Sequence, residues 1–131
     1  MNIKELRLHV DKMPFNALLG IRVVRYHSDG LTVECAVKEE LLNSAGVLHG
    51  GVLATLADAA VGIALSRHFE GKRPFTTTEL KINYMRPVSE GKVRARARLL
   101  KVGTRLCVGS VEMKNAADQM VAAALLSYML L

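Results

Sequence analysis

The spacing of apolar side chains changes several times along the chain, and each change predicts an element. Ile3, Leu6, Val10 and Met13 fall at helical spacing, which predicts a short helix over residues 2–13, before Pro14. From Gly20 the period drops to two. Residues 21–26 and 31–37 read as strands joined at the turn Ser28-Asp29-Gly30. Residues 39–46, from Glu39 to Gly46, read as a loop. Gly50 to about His68 is apolar on nearly every side and long enough for about five helical turns, which predicts a helix buried all round. Four strand-like segments follow: Phe75–Tyr84, Lys92–Lys101, Arg105–Lys114 and Met120–Met129, separated by turn residues at 87–91, 103–104 and 115–118.

The predicted order is helix, two strands, buried helix, four strands. One antiparallel sheet wrapped around a long central helix, an α+β arrangement, satisfies it best, because a sheet curling round the helix covers a segment that has no polar face. No internal repeat, linker or low-complexity stretch interrupts the chain, so residues 1–131 read as a single domain. Six strands around one helix leave the sheet's edges open, and the expected remedy is a homo-oligomer in which two sheets join.

Composition removes several function classes. Cys35 and Cys107 stand far apart with no CxxC and no flanking ligand pair, which suits core thiols in a reduced compartment better than a zinc site or a disulfide scaffold. There is no HExxH, P-loop, Rossmann fingerprint or GxSxG elbow, so neither a metal nor a nucleotide cofactor is expected. The first seven residues carry charges at short intervals rather than an apolar leader. Of the two apolar runs, 51–66 contains Asp58 and 121–131 is too short to cross a bilayer of roughly 30 Å as a helix. The expectation is a soluble, cytoplasmic protein with no membrane partner. The net charge of +6 first suggests nucleic acid, but the chain has no Trp, 3 Tyr and 3 Phe, too few stacking platforms for bases, and no recognition motif.

Asp58 is the most informative residue. A carboxylate midway along an apolar helix is costly to bury unless it is paired, neutral or open to a pocket. Thr55, Gly62 and Ser66 share its stripe of the helix, so that stripe is polar or small and suits a cleft. His49-Gly50-Gly51 leads directly into the helix, where the first N–H groups have no intrahelical acceptor and lie at the positive end of the dipole. Aimed at a carbonyl, such groups stabilise a developing oxyanion. The plainer readings are a tight Gly-Gly loop and a hydrogen-bonded structural histidine. Asn43, in the loop before the helix, can donate to the same carbonyl or simply make a turn. Thr76, Thr77 and Thr78 open the next strand, where β propensity alone accounts for them and the middle hydroxyl faces opposite to its neighbours.

Taken together, Asn43-Ser44-Ala45-Gly46-Val47-Leu48-His49-Gly50-Gly51 followed by Ala57-Asp58-Ala59-Ala60 resembles the hotdog-fold acyl-CoA thioesterases, and within them the phenylacetate-pathway (PaaI-like) branch. Asn83-Tyr84-Met85-Arg86-Pro87 is similar to that family's Tyr-x-x-Pro strand end, and Val102-Gly103-Thr104-Arg105 to its strand-turn glycine. The resemblance covers nearly the whole chain after about residue 15. It implies a hotdog fold and hydrolysis of an acyl- or aryl-CoA thioester to free acid and CoA. Asp58 would act as general base or nucleophile. Gly50 N–H and Asn43 would polarise the carbonyl, His49 would orient the loop or assist that contact, and Thr77 would help hold the water. It further implies a groove at a dimer interface, with Asp58 of one subunit facing Thr77 and Asn43 of the other, in a dimer or a tetramer. A hotdog hydratase or dehydratase and a non-catalytic acyl-CoA-binding module are the alternatives.

The charge then gains a location. Residues 72–105 hold 10 Lys and Arg against Glu79 and Glu90, so the whole positive excess lies on the later strands. Arg94, Arg96 and Arg98 alternate with Ala95 and Ala97 on one strand face, which suits a solvated outer surface. A basic rim beside the groove would attract the phosphates of CoA, with Arg86 and Arg105 as direct contacts and Gly51 assisting at the helix start.

Overall fold

The computed structural model describes residues 1–131. Two short helices lead in, α1 (Ile3–Asp11) and α2 (Pro14–Leu19). Asn2 starts α1 through a reciprocal capping box, its Oδ1 accepting from Glu5 N at 2.9 Å while its own N–H donates to Glu5 Oε2 at 3.1 Å. The sequence predicts one helix ending at Pro14, and the second is an addition. Pro14 ends nothing there; it occupies the first turn of α2, where its missing N–H costs no hydrogen bond. Leu6 and Val10 of α1 are buried, and Arg7 Nε donates to Val23 O at 2.9 Å, tying α1 to the first strand.

The strands are β1 (Arg22–His27), β2 (Gly30–Ala36), β3 (Phe75–Tyr84), β4 (Lys92–Val102), β5 (Leu106–Lys114) and β6 (Met120–Leu130), all within a residue or so of expectation. A single 3₁₀ turn, Glu39–Leu41, lies inside the predicted loop. The strands form one sheet in the order β1-β2-β4-β5-β6-β3, with every neighbouring pair antiparallel. The long helix α3 (Gly50–His68) sits in the curl of that sheet, which is the hotdog arrangement.

Helix α3 is long and apolar enough to cross a bilayer, yet here the sheet wraps it. Leu53, Leu56, Ala57, Ala60, Val61, Ile63, Ala64 and Leu65 are buried. Close approach depends on small residues in the facing strands. Ala95 and Ala97 turn inward on β4, and at Gly109 on β5 a Cβ would stand 2.6 Å from Val61 Cγ1. The expected burial on all faces is incomplete, because the six strands cover one side of the helix. Ala54, Thr55, Asp58, Ala59 and Gly62 remain half-exposed along the other.

Candidate active site

Asp58 stands on that half-open stripe, and two strands hold it. Thr77 on β3 and Tyr128 on β6 are register partners. Both reach Asp58 Oδ1: Thr77 Oγ1 donates at 2.8 Å, and the Tyr128 phenol donates through a short bond while lying 2.6 Å from the Asp58 carbonyl oxygen. Asp58 Oδ2 accepts no bond within the chain. Tyr128 is only 1% exposed, and its ring meets Phe75 edge-on at 5.7 Å. Burial, reinforced by the adjacent Asp58, pushes the Tyr128 phenol above its ordinary range and keeps it a donor.

The contact also decides among the three threonines. The β3–β6 register shifts between Thr77 and Glu79, a bulge that leaves Thr78 outside the pairing, and Thr78 Oγ1 donates to Ser127 O at 3.2 Å instead. The expectation that Asp58 faces the Thr77 of another subunit is corrected: its own chain's Thr77 makes the bond, because β3 crosses the sheet to lie beside β6 on the same side as Asp58. Tyr128 carried no signal in the sequence beyond being an aromatic in an apolar strand, and only the strand register shows its role. The cavity beside Asp58 holds about 230 Å³ and is bounded by Thr55, Gly62, Ser66 and Ile63 of α3, by Phe75, Thr77 and Tyr128, and by Met13, Phe15 and Asn16 from the α1–α2 junction. The stripe of Thr55, Gly62 and Ser66 thus lines a pocket as its pattern suggested.

The start of α3 forms a second cluster. Gly50 N–H has no acceptor in the chain, as befits the first turn of a helix. Tyr84, at the end of β3, donates its hydroxyl to Gly50 O at 2.8 Å, and a Cβ on Gly50 would lie 3.3 Å from the Tyr84 ring. His49 Nδ1 accepts from Gly51 N at 2.8 Å, capping the helix. That bond uses the Gly51 N–H, so Gly51 does not offer it to a ligand. Around Gly50 runs a cleft of about 360 Å³ lined by Leu48, Leu53, Tyr84, Met85 and Arg86.

Other predicted residues lie apart from Asp58. Asn43 Oδ1 accepts from Ala45 N at 2.9 Å and Val47 N at 3.3 Å, which is turn chemistry on an exposed loop outside the Asp58 cavity. Gly50 and Asp58 are eight residues apart on one helix, about 12 Å along its axis, so a single carbonyl cannot touch both in one chain. Arg86 borders the Gly50 cleft, whereas Arg105 sits in the β4–β5 turn beside Leu130, at the opposite end of the sheet. The expectation that both guanidiniums flank one groove is therefore corrected for a single chain. Arg94, Arg96 and Arg98 face outward on β4 and pair with acids there: Arg94 with Glu34, Arg96 and Arg98 with Asp29, and Arg98 also with Glu112. They are a paired outer face, not a rim to the cavity.

A six-stranded antiparallel sheet curled round one long helix, with a carboxylate on the open stripe of that helix, defines a hotdog protein of the thioesterase type. The sequence model of the Thioesterase superfamily matches residues 45–122, and the chain belongs to that family, close to its PaaI-like branch. It is 32% identical over 117 residues to acyl-coenzyme A thioesterase 13 of Mus musculus, covering 87% of this chain and 83% of the relative. It is 29% identical over 139 aligned positions to the medium/long-chain acyl-CoA thioesterase YigI of Escherichia coli, covering 93% and 88%. Among solved structures, a mutant of the phenylacetic acid degradation protein PaaI from Thermus thermophilus superposes with a TM-score of 0.80 at 27% identity, over 90% of this chain and 99% of that one.

Proposed function

We propose that this protein is an acyl-CoA thioesterase in which Asp58 activates water. The observation that carries this reading is the asymmetry of the Asp58 carboxylate: Thr77 and Tyr128 fix Oδ1, and Oδ2 is left free. A base held in one rotamer with one free oxygen needs no reorganisation before it acts. Water gives its proton to Asp58 Oδ2 as its oxygen attacks the thioester carbonyl carbon. The tetrahedral oxyanion then collapses, the carbon–sulfur bond breaks, and the thiolate of CoA leaves with the proton held on Asp58 Oδ2, which restores the carboxylate. The products are the free acid and CoA.

The oxyanion needs donors, and Gly50 N–H is too far along the helix to serve the same chain's Asp58. A second copy resolves this. Two α3 helices packed antiparallel about a two-fold axis near Ala54 would set Gly50 of one copy beside Asp58 of the other. The half-exposed small residues Ala54, Thr55, Ala59 and Gly62 favour such an approach. Strand β3 is a ten-residue sheet edge with mostly exposed side chains, and edge pairing there would join the two sheets. The reading is thus a homodimer with shared sites, in which Asn43 and His49 of one copy border the Asp58 of the other and Arg86 meets the CoA phosphates.

The test is a thiol-release screen of the purified protein with short-chain, long-chain and aryl acyl-CoAs. Release of free CoA with at least one class is the expected result. Water addition to an enoyl-CoA without thiol release, or tight binding without turnover, would replace this reading.

A further inference from the structure

Helix α3 and strand β3 face each other in two successive rungs. At the first, Thr77 Oγ1 donates to Asp58 Oδ1. At the second, one turn on along α3 and two residues back along β3, Gly62 stands opposite Phe75. A Cβ on Gly62 would lie 3.6 Å from Phe75 Cε2 and 4.0 Å from Cζ. The strand pairs regularly from Phe75 to Thr77, so these two side chains share one face. Gly62 follows Asp58 by about 6 Å along the helix axis, and all four residues line the same cavity.

Nothing in the folded chain asks for a glycine at the second rung. Gly62 is helical and lacks the positive φ of Gly20, Gly46, Gly71 and Gly91. The contacts its Cβ would make are ordinary van der Waals distances, unlike those at Gly109, where a Cβ would overlap Val61. A glycine inside a helix is less stable than an alanine, because it loses more backbone freedom on folding. The chain thus forgoes a stabilising methyl and keeps a notch in the cavity wall. A side chain at position 62 would lean back over the turn that carries Asp58 and fill that notch. Of the small residues on the open stripe, Gly62 lies farthest from Ala54, about 12 Å along the axis, so a helix pair centred on Ala54 needs it least.

The surroundings say what fills the notch. Met13, Phe15, Ala59, Ile63 and Phe75 give the cavity apolar walls. The Phe15 ring stands 59% exposed there, an apolar surface that a hydrocarbon would cover. An extended chain advances about 1.2 Å per bond, so it passes from the level of Asp58 to that of Gly62 in about five bonds. We infer that Gly62 is a specificity-determining residue: the notch between it and Phe75 takes the hydrocarbon of the acyl group about five bonds from the thioester carbonyl, and the missing side chain sets the bulk accepted there. The inference rests on the reading that the Asp58 cavity receives the acyl group.

The experiment measures kcat/KM of wild type, Gly62→Ala and Gly62→Val on propanoyl-CoA, which ends short of the notch, and octanoyl-CoA, which reaches past it. Thermal unfolding and the oligomeric state are followed beside it. Wild type should favour octanoyl-CoA by at least about tenfold, and Gly62→Val should lower the octanoyl-to-propanoyl ratio by at least about tenfold, chiefly through KM for the longer chain. Gly62→Ala should lower the ratio severalfold while raising the thermal midpoint by a few degrees, so it keeps the test open if the valine protein does not fold. Phe75→Leu in the Gly62→Val background should recover part of the ratio, which a merely structural role of Gly62 would not produce. A wild-type ratio near or below one, a ratio unchanged in the variants, no recovery in the double variant, or a Gly62→Ala protein with weaker oligomerisation or a lower midpoint overturns the inference and leaves the thioesterase reading intact. Failure of the wild type on both substrates overturns the inference too, and failure across the wider acyl-CoA screen overturns the thioesterase reading with it.

Discussion

The Thr77 hydroxyl on β3 donates to Asp58 Oδ1 on α3 at 2.8 Å, within one chain, and Tyr128 on β6 completes the support from the neighbouring strand. A helix and two strands thus converge on one carboxylate oxygen. The residue that could least easily be buried is the one that the sheet edge is arranged to hold.

Tyr128→Phe keeps the ring against Phe75 and removes only the donor. It should cost about 1–3 kcal/mol of stability, measured by denaturant unfolding, and should lower kcat more than it changes KM. The wild-type protein also carries a pH signature. The Tyr128 phenol is held above its ordinary value of 10.0 by burial first and Asp58 second. Above about that pH the unfolded chain releases this proton while the folded chain keeps it, so stability falls as pH rises through the alkaline range. Half-buried Tyr26, also raised by burial, adds to the same trend. Tyr128→Phe should make the alkaline slope shallower, as followed by unfolding midpoints at increasing pH.

Tyr84→Phe removes the bond to Gly50 O and nothing from the core, since Tyr84 is 52% exposed. If Gly50 N–H is the oxyanion donor, loosening its peptide should reduce kcat by roughly tenfold with a thermal midpoint close to wild type. Equal losses in stability and activity would mean that the bond serves folding alone.

Arg86→Ala and Arg105→Ala separate the two guanidiniums that the sequence grouped together. Arg86 borders the Gly50 cleft, so its loss should raise KM for acyl-CoA several-fold and leave the KM of the matching N-acetylcysteamine thioester, which lacks the phosphates, unchanged. Arg105→Ala tests whether the far end of the sheet also meets CoA. A parallel rise in KM with the same substrate dependence would place a second phosphate contact there.

Most of the fold was legible because periodicity reports it. The clean alternation of Arg94, Arg96 and Arg98 with Val93, Ala95 and Ala97 placed β4 and its outward face, and the unbroken apolar run placed α3. Segment 14–19 was missed because Pro14 serves equally as the stop of one helix and the first turn of the next. Asp58, Gly50 and the Tyr84 strand end were visible as local motifs. Tyr128 was not, since its role depends on pairing with a threonine 51 positions earlier. The separation of Arg86 from Arg105 is likewise a property of sheet order rather than of sequence distance.

The most direct measurement is steady-state thiol release by Asp58→Asn beside the wild type, on the acyl-CoA that the wild type turns over best. The substitution keeps the size of the side chain and an oxygen for Thr77 and Tyr128 to donate to, so circular dichroism and the oligomeric state should match. The account predicts a fall in kcat of at least about a hundredfold, the contribution of a positioned general base. Turnover close to wild type in a folded Asp58→Asn protein would contradict it.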